Sequence, residues 1–575
     1  MLFKKIFLVI LIQLVATMYC DIAAQTNGSE IAYLQTDRTV YVAGESVYYK
    51  LFVLDASTKK CSTMSKVGYV VLRAANCDPS LKVRVKIDAG MTNGSILLPD
   101  TLTSGVYQVV AFTNAMKNRG EEHFFHKEIT IINRFDKVLD FKLVGTGLKD
   151  SSLYRLQNTN AKIKTDKAVY GLREKVVVNL INANAKAKVS VSVFEEPQLP
   201  STYKSIVEFL GDSTLTQNGN YRLTKNFPET KGKILKGVVL DSKTQQTIKD
   251  AIVLLSCNDT LPNLQYAVTN SNGMFQLLLS DYYNGKELFL TIKDVPENQK
   301  WQINLEDAFA QSEKWNPSLI SCNGNYKEFV VKSQNIVYIN KSYKLNKDDN
   351  EKQTMENKVI CPQFYHSGTK TIFPSDFEPL SNFLEIAVEI LPQVRIVKEK
   401  GKYRAQVYNS LIKEYNKQSP AIFLDGVFVD DISKIIDLGS EQIKKIEVVD
   451  AERAFGDLVF SGAISITSSK GDEIINTKPA SYSFRIKNDK VNAGGDLIAA
   501  NPTTLQNNYT PFIKQLLYWN PNLELNGTDN TKFEFYTSDN EAKYFIKVEG
   551  VSEDGTPISA SSIIQIANQI NVIDK

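Results

Sequence analysis

The sequence contains few of the residues that bind metal ions or carry out catalysis. Among 575 residues there are three histidines, His123, His126 and His366, and six cysteines. His123 and His126 stand three apart in a strand-like stretch, which directs them to opposite faces rather than to one metal ion. The cysteine spacings suit no zinc site, and the sequence has no zinc-protease motif, phosphate-binding glycine loop or hydrolase nucleophile motif. We therefore expect no enzymatic activity, no metal and no cofactor.

Long apolar runs and an excess of one charge are also missing. After the N-terminal segment no stretch holds the ~20 consecutive apolar residues of a transmembrane helix. The 67 lysines and arginines nearly balance the 64 aspartates and glutamates, and we identify no basic stripe. We therefore expect no membrane span and no binding of nucleic acid.

The N-terminus has the features of a secretory signal peptide. Two lysines precede an apolar run over residues 6–14, and small residues follow at positions 23 and 24. This pattern predicts cleavage between Ala24 and Gln25. The alternative is a lipoprotein signal with Cys20 as the lipidated residue, although Tyr19 stands where such signals have a small residue. Either way, we expect an exported protein of the periplasm or outer membrane.

The five cysteines beyond residue 24 form an odd set, so at least one of them stays free or pairs between chains. Cys61 and Cys77 are the closest pair in sequence and could form a disulfide in an oxidising periplasm. The alternative is that these cysteines are buried free thiols.

Residues 25–135 read as short alternating strands separated by turn residues, which is typical of an antiparallel β-sandwich. Residues 34–47, LQTDRTVYVAGESV, and the strand SGVYQVV at 104–110 carry a resemblance to a known family. They resemble the second macroglobulin domain of the α2-macroglobulin family. The resemblance implies a macroglobulin-like β-sandwich.

Residues 136–230 partly repeat this segment. The stretch TDKAVYGLREKV at 165–176 aligns with residues 36–47 at a constant offset of 129, with Arg173 in place of Gly44. Repetition at this distance predicts a second macroglobulin-like sandwich.

Residues 231–299 contain a third β unit, in which Asn272-Gly273 before an alternating strand is a hairpin signal. Its three strands, at 235–241, 248–255 and 269–277, resemble a carboxypeptidase-regulatory-like domain. The resemblance implies a transthyretin-like sandwich without catalytic function.

Residues 300–374 are read as a linking segment that is partly β, with a strand over 330–339. Residues 375–471 are expected to form an α/β domain that begins with a helix over 379–391, Pro379 being its first residue, and continues with a strand over 394–399. Four blocks follow in order: AIFLDGVFV at 421–429, IKKIEVV at 443–449, Phe455-Gly456, and GAISITSSKG at 462–471. They resemble the plug domain of TonB-dependent outer-membrane receptors.

The resemblance implies structural roles for Asp425, Gly426, Gly456 and Gly462 in the plug motif. Asp425-Gly426 predicts a tight turn in which glycine supplies a positive φ. Asp430 and Asp431 follow closely, and with Asp425 they could form an acid pair or a calcium site. Duties in turns and helix caps are the alternative explanation for these carboxylates.

Residues 472–575 read as a C-terminal Ig-like sandwich. The 104 residues after position 471 are too few for the barrel that follows a plug in TonB-dependent transporters. We therefore expect that this chain is not itself the transporter.

The sequence thus predicts a mainly β, multidomain protein: Ig-like or macroglobulin-like and transthyretin-like sandwiches plus one α/β plug-like domain. We expect a non-catalytic binding or scaffolding protein of the Gram-negative periplasm or outer membrane, an accessory to a TonB-dependent uptake or other outer-membrane system. Its expected partners are an outer-membrane barrel or other envelope proteins, and glycans are a further option. The alternative is a macroglobulin-like endopeptidase inhibitor, although the Cys-Gly-Glu-Gln thioester of covalent protease capture does not occur.

Overall fold

The computed structural model describes residues 29–75, 79–136, 158–182, 186–197, 204–212, 226–296, 298–310, 315–317, 326–343, 361, 363–365, 367–399, 401–476, 483–488, 497–499, 501–504, 509–527 and 530–568. Ala24, Gln25, Cys77 and His366 lie outside these residues. β-Strands predominate and form many separate sheets, so the predicted mainly β, multidomain fold is confirmed. None of the helices within the described ranges has the length and hydrophobicity needed to span a lipid bilayer.

The chain divides into two compact units. The first unit comprises Met1–Thr230, Phe309–Lys352 and Val491–Lys575. The second unit comprises Lys231–Ala308 and Gln353–Lys490. Each unit therefore contains segments that are distant in sequence.

The first sandwich, in the first unit, is built from eight strands. They are Glu30–Thr36 (β1), Val40–Val42 (β2), Ser46–Asp55 (β3), Val67–Arg73 (β4), Pro79–Lys86 (β5), Met91–Leu97 (β6), Gly105–Thr113 (β7) and Phe125–Ile132 (β8). One sheet has the order β1-β3-β6 and the other has the order β2-β8-β7-β4-β5. Every residue of β1 and β4 is buried, so these two strands are covered on both faces.

Side-chain hydrogen bonds join residues within the repeated stretch of the first sandwich. Tyr41 donates its hydroxyl to Asp37 Oδ1 at 2.7 Å, and the same oxygen accepts the N–H of Tyr48 at 2.9 Å. Glu45 Oε2 accepts the N–H of Val42 at 2.7 Å. We call Asp37, Tyr41 and Glu45 the first copy of the Asp-Tyr-Glu motif.

The next segment of the first unit contributes five strands and a short helix. They are Asn158–Thr159 (β9), Ala161–Thr165 (β10), Val169–Tyr170 (β11), Lys175–Asn182 (β12), Lys186–Glu195 (β13) and Ile206–Leu210 (α1). The repeated stretch here carries the second copy of the motif. Tyr170 donates to Asp166 Oδ1 at 2.6 Å, and Glu174 Oε2 accepts the N–H of Gly171 at 2.6 Å. The sequence repeat is thus reproduced in its hydrogen bonds.

The third sandwich, in the second unit, begins with six strands. They are Lys233–Asp241 (β14), Ile252–Cys257 (β15), Gln265–Val268 (β16), Met274–Leu279 (β17), Glu287–Lys293 (β18) and Trp301–Leu305 (β19). One sheet has the order β17-β14-β19, so the domain extends beyond the boundary at 299 drawn from the sequence.

The segment after the third sandwich contains a helix, Tyr326–Ser342 (α2), where the sequence analysis placed a strand over 330–339. That prediction was wrong because the strand propensity of Val and Ile depends on context, and a short apolar stretch does not by itself distinguish a strand from a buried helix. Here the buried residues recur with helical spacing; they are Phe329, Val330, Ser333, Ile336, Val337 and Asn340.

The mixed domain follows in the second unit. Its elements are Lys370–Ile372 (β20), Phe383–Glu389 (α3), Val394–Glu399 (β21), Lys402–Asn409 (β22), Glu414–Tyr415 (β23), Ala421–Leu424 (β24), Val427–Val429 (β25), Ile443–Val449 (β26), Arg453–Phe455 (β27), Leu458–Phe460 (β28), Ala463–Ser468 (β29) and Glu473–Asn476 (α4). Its main sheet has the order β20-β26-β29-β24-β25, in which β24 and β29 run parallel.

Helix α3 is shorter than the predicted helix over 379–391, and Pro379 is not its first residue. Asn382 caps it instead, because the Asn382 side chain accepts the N–H of Glu385 at 3.0 Å. The Glu385 carboxylate in turn accepts the N–H of Ser381 at 2.9 Å. The local capping bonds therefore set the helix start four residues after the proline.

The last strands return to both units. They are Ser483–Lys487 (β30), Ile498–Ala499 (β31), Leu516–Asn526 (β32), Asn530–Tyr536 (β33), Ala542–Ser552 (β34) and Pro557–Ile566 (β35). Strand β30 pairs with β18 and completes the second sheet of the third sandwich, β16-β15-β18-β30.

Strands β31–β35 do not form a sandwich of their own, although the sequence analysis drew separate sandwiches at 136–230 and 472–575. Strand β13 lies between β32 and β34, and β12 lies between β10 and β33. The core of this second sandwich contains side chains from both segments, for example Val191 and Ile546. Alternation identifies each strand, but it does not identify a partner more than 300 residues away.

Candidate interaction surface

The Asp425-Gly426 turn joins β24 to β25 in the mixed domain. Both residues have positive φ, +48° and +78°. The Asp425 side chain is buried, and its carboxylate accepts the N–H and the hydroxyl of Ser468 at 2.7 and 2.9 Å. These bonds tie the turn to the end of β29.

The same turn packs against the third sandwich. The N–H of Asp259 donates to the carbonyl oxygen of Asp425 at 2.9 Å, and the N–H of Phe428 donates to Ser256 Oγ at 3.1 Å. A Cβ atom on Gly426 would lie 2.6 Å from the carbonyl oxygen of Asp259. Glycine is therefore required here both by its φ and by the close approach of a neighbouring backbone.

Gly456 occupies a second contact between the two domains. Its φ is +60°, and a Cβ atom there would lie 2.0 Å from the hydroxyl oxygen of Tyr266 on β16. That hydroxyl also accepts the N–H of Asp457 at 3.0 Å. Gly462 has a different role within the mixed domain, since a Cβ atom on it would lie 2.5 Å from the carbonyl oxygen of Val449.

An apolar cluster lies between these contacts and joins the third sandwich to the mixed domain. It consists of Leu254, Leu264, Phe364, Tyr365, Ala421, Phe423, Phe428, Val449, Leu458, Phe460 and Ala463. This cluster packs the two domains against each other, and three of the four motif residues lie at contacts between them.

The other predicted candidates occupy separate positions. Asp430 pairs with Lys434 at 2.7 Å, and Asp431 accepts the N–H of Ser433 at 2.9 Å. Cys61 is a free thiol, and no group of three or more potential metal ligands occurs in the part of the chain that the structure describes. His126 contacts Gln108 and the carbonyl oxygen of Glu121. Burial lowers the pKa of His126 below its usual value.

The hairpin formed by β21 and β22 concentrates positive charge. Residues 394–417 contain seven lysines or arginines and two glutamates, whereas the whole chain carries a net charge of only +3. Arg395 and Lys402 are exposed on it, and the Arg395 guanidinium lies 5.4 Å from the centre of the Tyr415 ring. The Lys398 ammonium lies 5.0 Å from the centre of the Tyr403 ring. These cation–π contacts orient two positive groups on the hairpin.

Strand β21 is the outer strand of its sheet, which has the order β21-β22-β23. The N–H of Tyr408 donates to the carbonyl oxygen of Gln393 at 2.8 Å. Hydrogen-bonded and non-hydrogen-bonded pairs alternate in an antiparallel ladder, so the backbone N–H and C=O groups of Arg395 and Val397 point towards β22. The N–H and C=O groups of Ile396 and Lys398 therefore point outward, where no strand of the described residues pairs with them.

No protein-family model and no curated protein matches the sequence. Among solved structures, the α2-macroglobulins of Salmonella and Escherichia coli align with 95% of this chain at 8% identity, with TM-scores of 0.24. The chain spans about 40% of the length of these two proteins. FdeC, an Escherichia coli adhesin, aligns with 51% of this chain and 63% of its own, at 11% identity and a TM-score of 0.14. Likenesses this low carry no argument about function.

The sequence predicts the strand β21, but no basic stripe was expected from it. A signal was present, because Lys400-Gly401 separates two stretches of alternating residues and basic residues cluster around it. It was missed because the charges are spread over 24 residues and alternate with apolar and aromatic residues.

Proposed function

We propose that this chain is an exported, non-catalytic binding or scaffolding protein of the Gram-negative envelope. It holds an extended acidic segment of a partner protein along the outer edge of β21. The partner belongs to an outer-membrane system, such as the barrel of a TonB-dependent uptake system. The N-terminal signal pattern and the plug-like motif support this assignment to the envelope.

The outward-facing groups of Ile396 and Lys398 carry the proposal. A sheet edge binds an added strand through main-chain hydrogen bonds, and flanking side chains then select its sequence. Arg395, Lys402 and Arg404 supply positive charge beside this edge, so an acidic strand is favoured over a basic one.

The core shared by the third sandwich and the mixed domain supports a scaffolding role. The buried Asp425 turn and the Gly456 contact fix the two domains to each other. The hairpin is therefore presented on a preorganised body, which lowers the entropic cost of binding.

Photo-crosslinking in living cells tests the proposal. A benzophenone amino acid at Val397 is expected to crosslink one envelope protein, whereas the same probe at Val459 is the control. Val459 is exposed and lies on β28 of the same domain.

Two substitutions at Lys398 separate the main-chain contribution from the charge. Lys398→Pro removes an N–H that points away from β22, so it preserves the hairpin and blocks strand addition. Lys398→Ala keeps that N–H. We expect Lys398→Pro to abolish the crosslink and Lys398→Ala to retain it. Equal crosslinking from Val397 and Val459, or a crosslink that survives Lys398→Pro, would overturn the proposal.

A further inference from the structure

Two free cysteines of the second unit share one apolar core. Cys257 ends β15 and is fully buried. Cys361 is partly buried and packs against the core cluster of the third sandwich that contains Cys257. Neither residue was paired in the sequence analysis, because 104 residues separate them.

The Asn263 side chain brings the two backbone segments together. Its amide oxygen accepts the N–H of Cys257 at 2.8 Å, and its amide nitrogen donates to the carbonyl oxygen of Cys257 at 2.9 Å. Asn263 also forms an antiparallel bridge with Gln363, whose N–H donates to the carbonyl oxygen of Cys361 at 2.8 Å. The register of the chain thus fixes Cys361 near the end of β15.

Tyr282 belongs to the same core cluster, which contains Cys257 and against which Cys361 packs. Its hydroxyl donates to Asp259 Oδ2 at 2.7 Å, and the same oxygen accepts the Lys286 ammonium at 2.6 Å. Cys257, Cys361 and Tyr282 therefore share one core cluster, in which Asp259 and Lys286 fix the position of the Tyr282 hydroxyl.

We propose that Cys257 and Cys361 form a disulfide when the protein meets a disulfide oxidant. The Cys361 thiolate, which is the more accessible, attacks one sulfur of the oxidant, forms a mixed disulfide and releases one thiol of the oxidant. The Cys257 thiolate then attacks the Cys361 sulfur, forms the Cys257–Cys361 bond and releases the second thiol. The two protein thiols lose two electrons and two protons, and the oxidant is reduced to two thiols.

This bond would link the third sandwich covalently to the segment that enters the mixed domain. Its position beside the Asp259–Asp425 contact places it at the junction of the two domains. Closing a loop of this length constrains the unfolded chain strongly, so the oxidised protein is expected to be the more stable form.

Burial makes the reaction dependent on pH. It raises the pKa of Cys257 to about 12 and holds the pKa of Cys361 above its usual value. Lys286 and Tyr282 lower the pKa of both thiols, whereas Asp259 raises it. Because the thiolate is the nucleophile, oxidation of the folded protein is expected to be faster at higher pH.

Peptide mapping tests the proposal on the folded full chain. The protein is incubated with oxidised glutathione at mildly alkaline pH, alkylated under denaturing conditions and digested without reduction. We expect a peptide pair that joins Cys257 to Cys361, with a mass two hydrogens below that of the free peptides. The Cys61→Ser variant is the matched control and should give the same pair.

Melting curves provide a second measurement that does not depend on a variant of the buried residue. The oxidised wild-type protein should melt several degrees higher than the reduced form, and Cys361→Ser should remove the difference. Full alkylation of Cys257 and Cys361 after oxidation, or linkage of either one to another cysteine, would overturn the proposal.

Discussion

The two copies of the Asp-Tyr-Glu motif share their hydrogen bonds but differ in their surroundings. Asp37 in the first sandwich has no exposed surface, and its Oδ2 atom lacks a hydrogen-bond partner within the described residues. Asp166 in the second sandwich is exposed. The same hydrogen-bonded arrangement therefore occurs in a buried and in a solvated environment, and the pKa of its aspartate differs between the two.

The pKa shifts of the two aspartates have opposite signs. Burial raises the pKa of Asp37 to about 6, against the opposing effects of the Arg38 charge and the Tyr41 hydrogen bond. The hydrogen bond from Tyr170 lowers the pKa of Asp166 below its usual value. In the first copy desolvation outweighs the hydrogen bonds, and in the second copy water makes desolvation small.

The two copies also differ at the position that glycine occupies in the first copy and arginine in the second. Gly44 has a φ of +93°, and Arg173 at the equivalent position has a φ of +53°. Arg173 donates to both carboxylate oxygens of Asp539 at 2.6 Å and to the carbonyl oxygen of Thr510 at 2.8 Å. In the second copy, a bidentate ion pair stabilises an arginine in an unfavourable backbone conformation. In the first copy, glycine adopts the positive φ without this strain.

The largest expected difference follows removal of the aspartate. Asp37→Ala leaves the Tyr48 N–H without its acceptor, leaves the Tyr41 hydroxyl with only the Arg38 carbonyl oxygen, and removes the carboxylate beside the Arg38 charge. The free energy of opening β3 should therefore fall by about 3 kcal/mol. Asp166→Ala removes an acceptor at an exposed position, where water can take its place, so the free energy of opening β12 should fall by no more than about 1 kcal/mol. Hydrogen exchange of the two strands measures both values, and equal losses would contradict the contrast.

The next effect is an opposite dependence on pH. The folded pKa of Asp37 is raised, so its contribution to stability is greatest below about pH 4 and is lost as the pH rises to about 6. As the pH rises from about 4 to about 6, the free energy of unfolding of Asp37→Asn should therefore increase by about 2–3 kcal/mol relative to that of the wild type.

Asp166→Asn is the matched variant in the second copy. The folded pKa of Asp166 is lowered, so its contribution is present above the unfolded pKa and is lost as the pH falls through the folded pKa. The penalty of Asp166→Asn should therefore grow as the pH rises through the acid range. Hydrogen exchange at several pH values checks both signs, and parallel curves would refute the assignment.

A smaller effect is expected at the glycine of the first copy. Gly44→Ala forces a side chain into a positive φ and places a Cβ atom 2.5 Å from Asp100 Oδ1. The free energy of opening β3 should fall by about 1–2 kcal/mol, because the Asp100 side chain can move but the backbone strain remains. An unchanged exchange rate would show that this turn adapts freely.

The smallest effect separates strain from the ion pair in the second copy. Arg173→Ala loses the Asp539 contact and keeps the strained φ, so the free energy of opening β12 should fall by about 1 kcal/mol. Arg173→Gly loses the same contact but relieves the strain, so it should stay within about 0.5 kcal/mol of wild type. Urea denaturation monitored by hydrogen exchange measures the stability of β12 in the two variants. A larger loss of stability for Arg173→Gly than for Arg173→Ala would show that backbone strain is not the deciding effect.

Short-range patterns predicted much of the secondary structure but not its assembly. The turn at Asp425-Gly426 and the strand over 394–399 were visible in the sequence, since each depends on neighbouring residues. The helix α2 was missed because Val and Ile favour strands when read without their burial. The pairing of β13 with β32 and β34, and the shared core of Cys257 and Cys361, depend on contacts between residues more than 100 positions apart.

The sequence by itself determined the β-rich character, the repeated motif and the positions where glycine turns the chain. These features depend on backbone sterics and on hydrogen bonds between residues fewer than about a dozen positions apart. Only the tertiary structure decided which copy of the motif is buried, which segments complete the second sandwich and which strand edge stays open. Burial and strand pairing are properties of the assembled chain, so the same local bonds leave Asp37 and Asp166 with opposite pKa shifts.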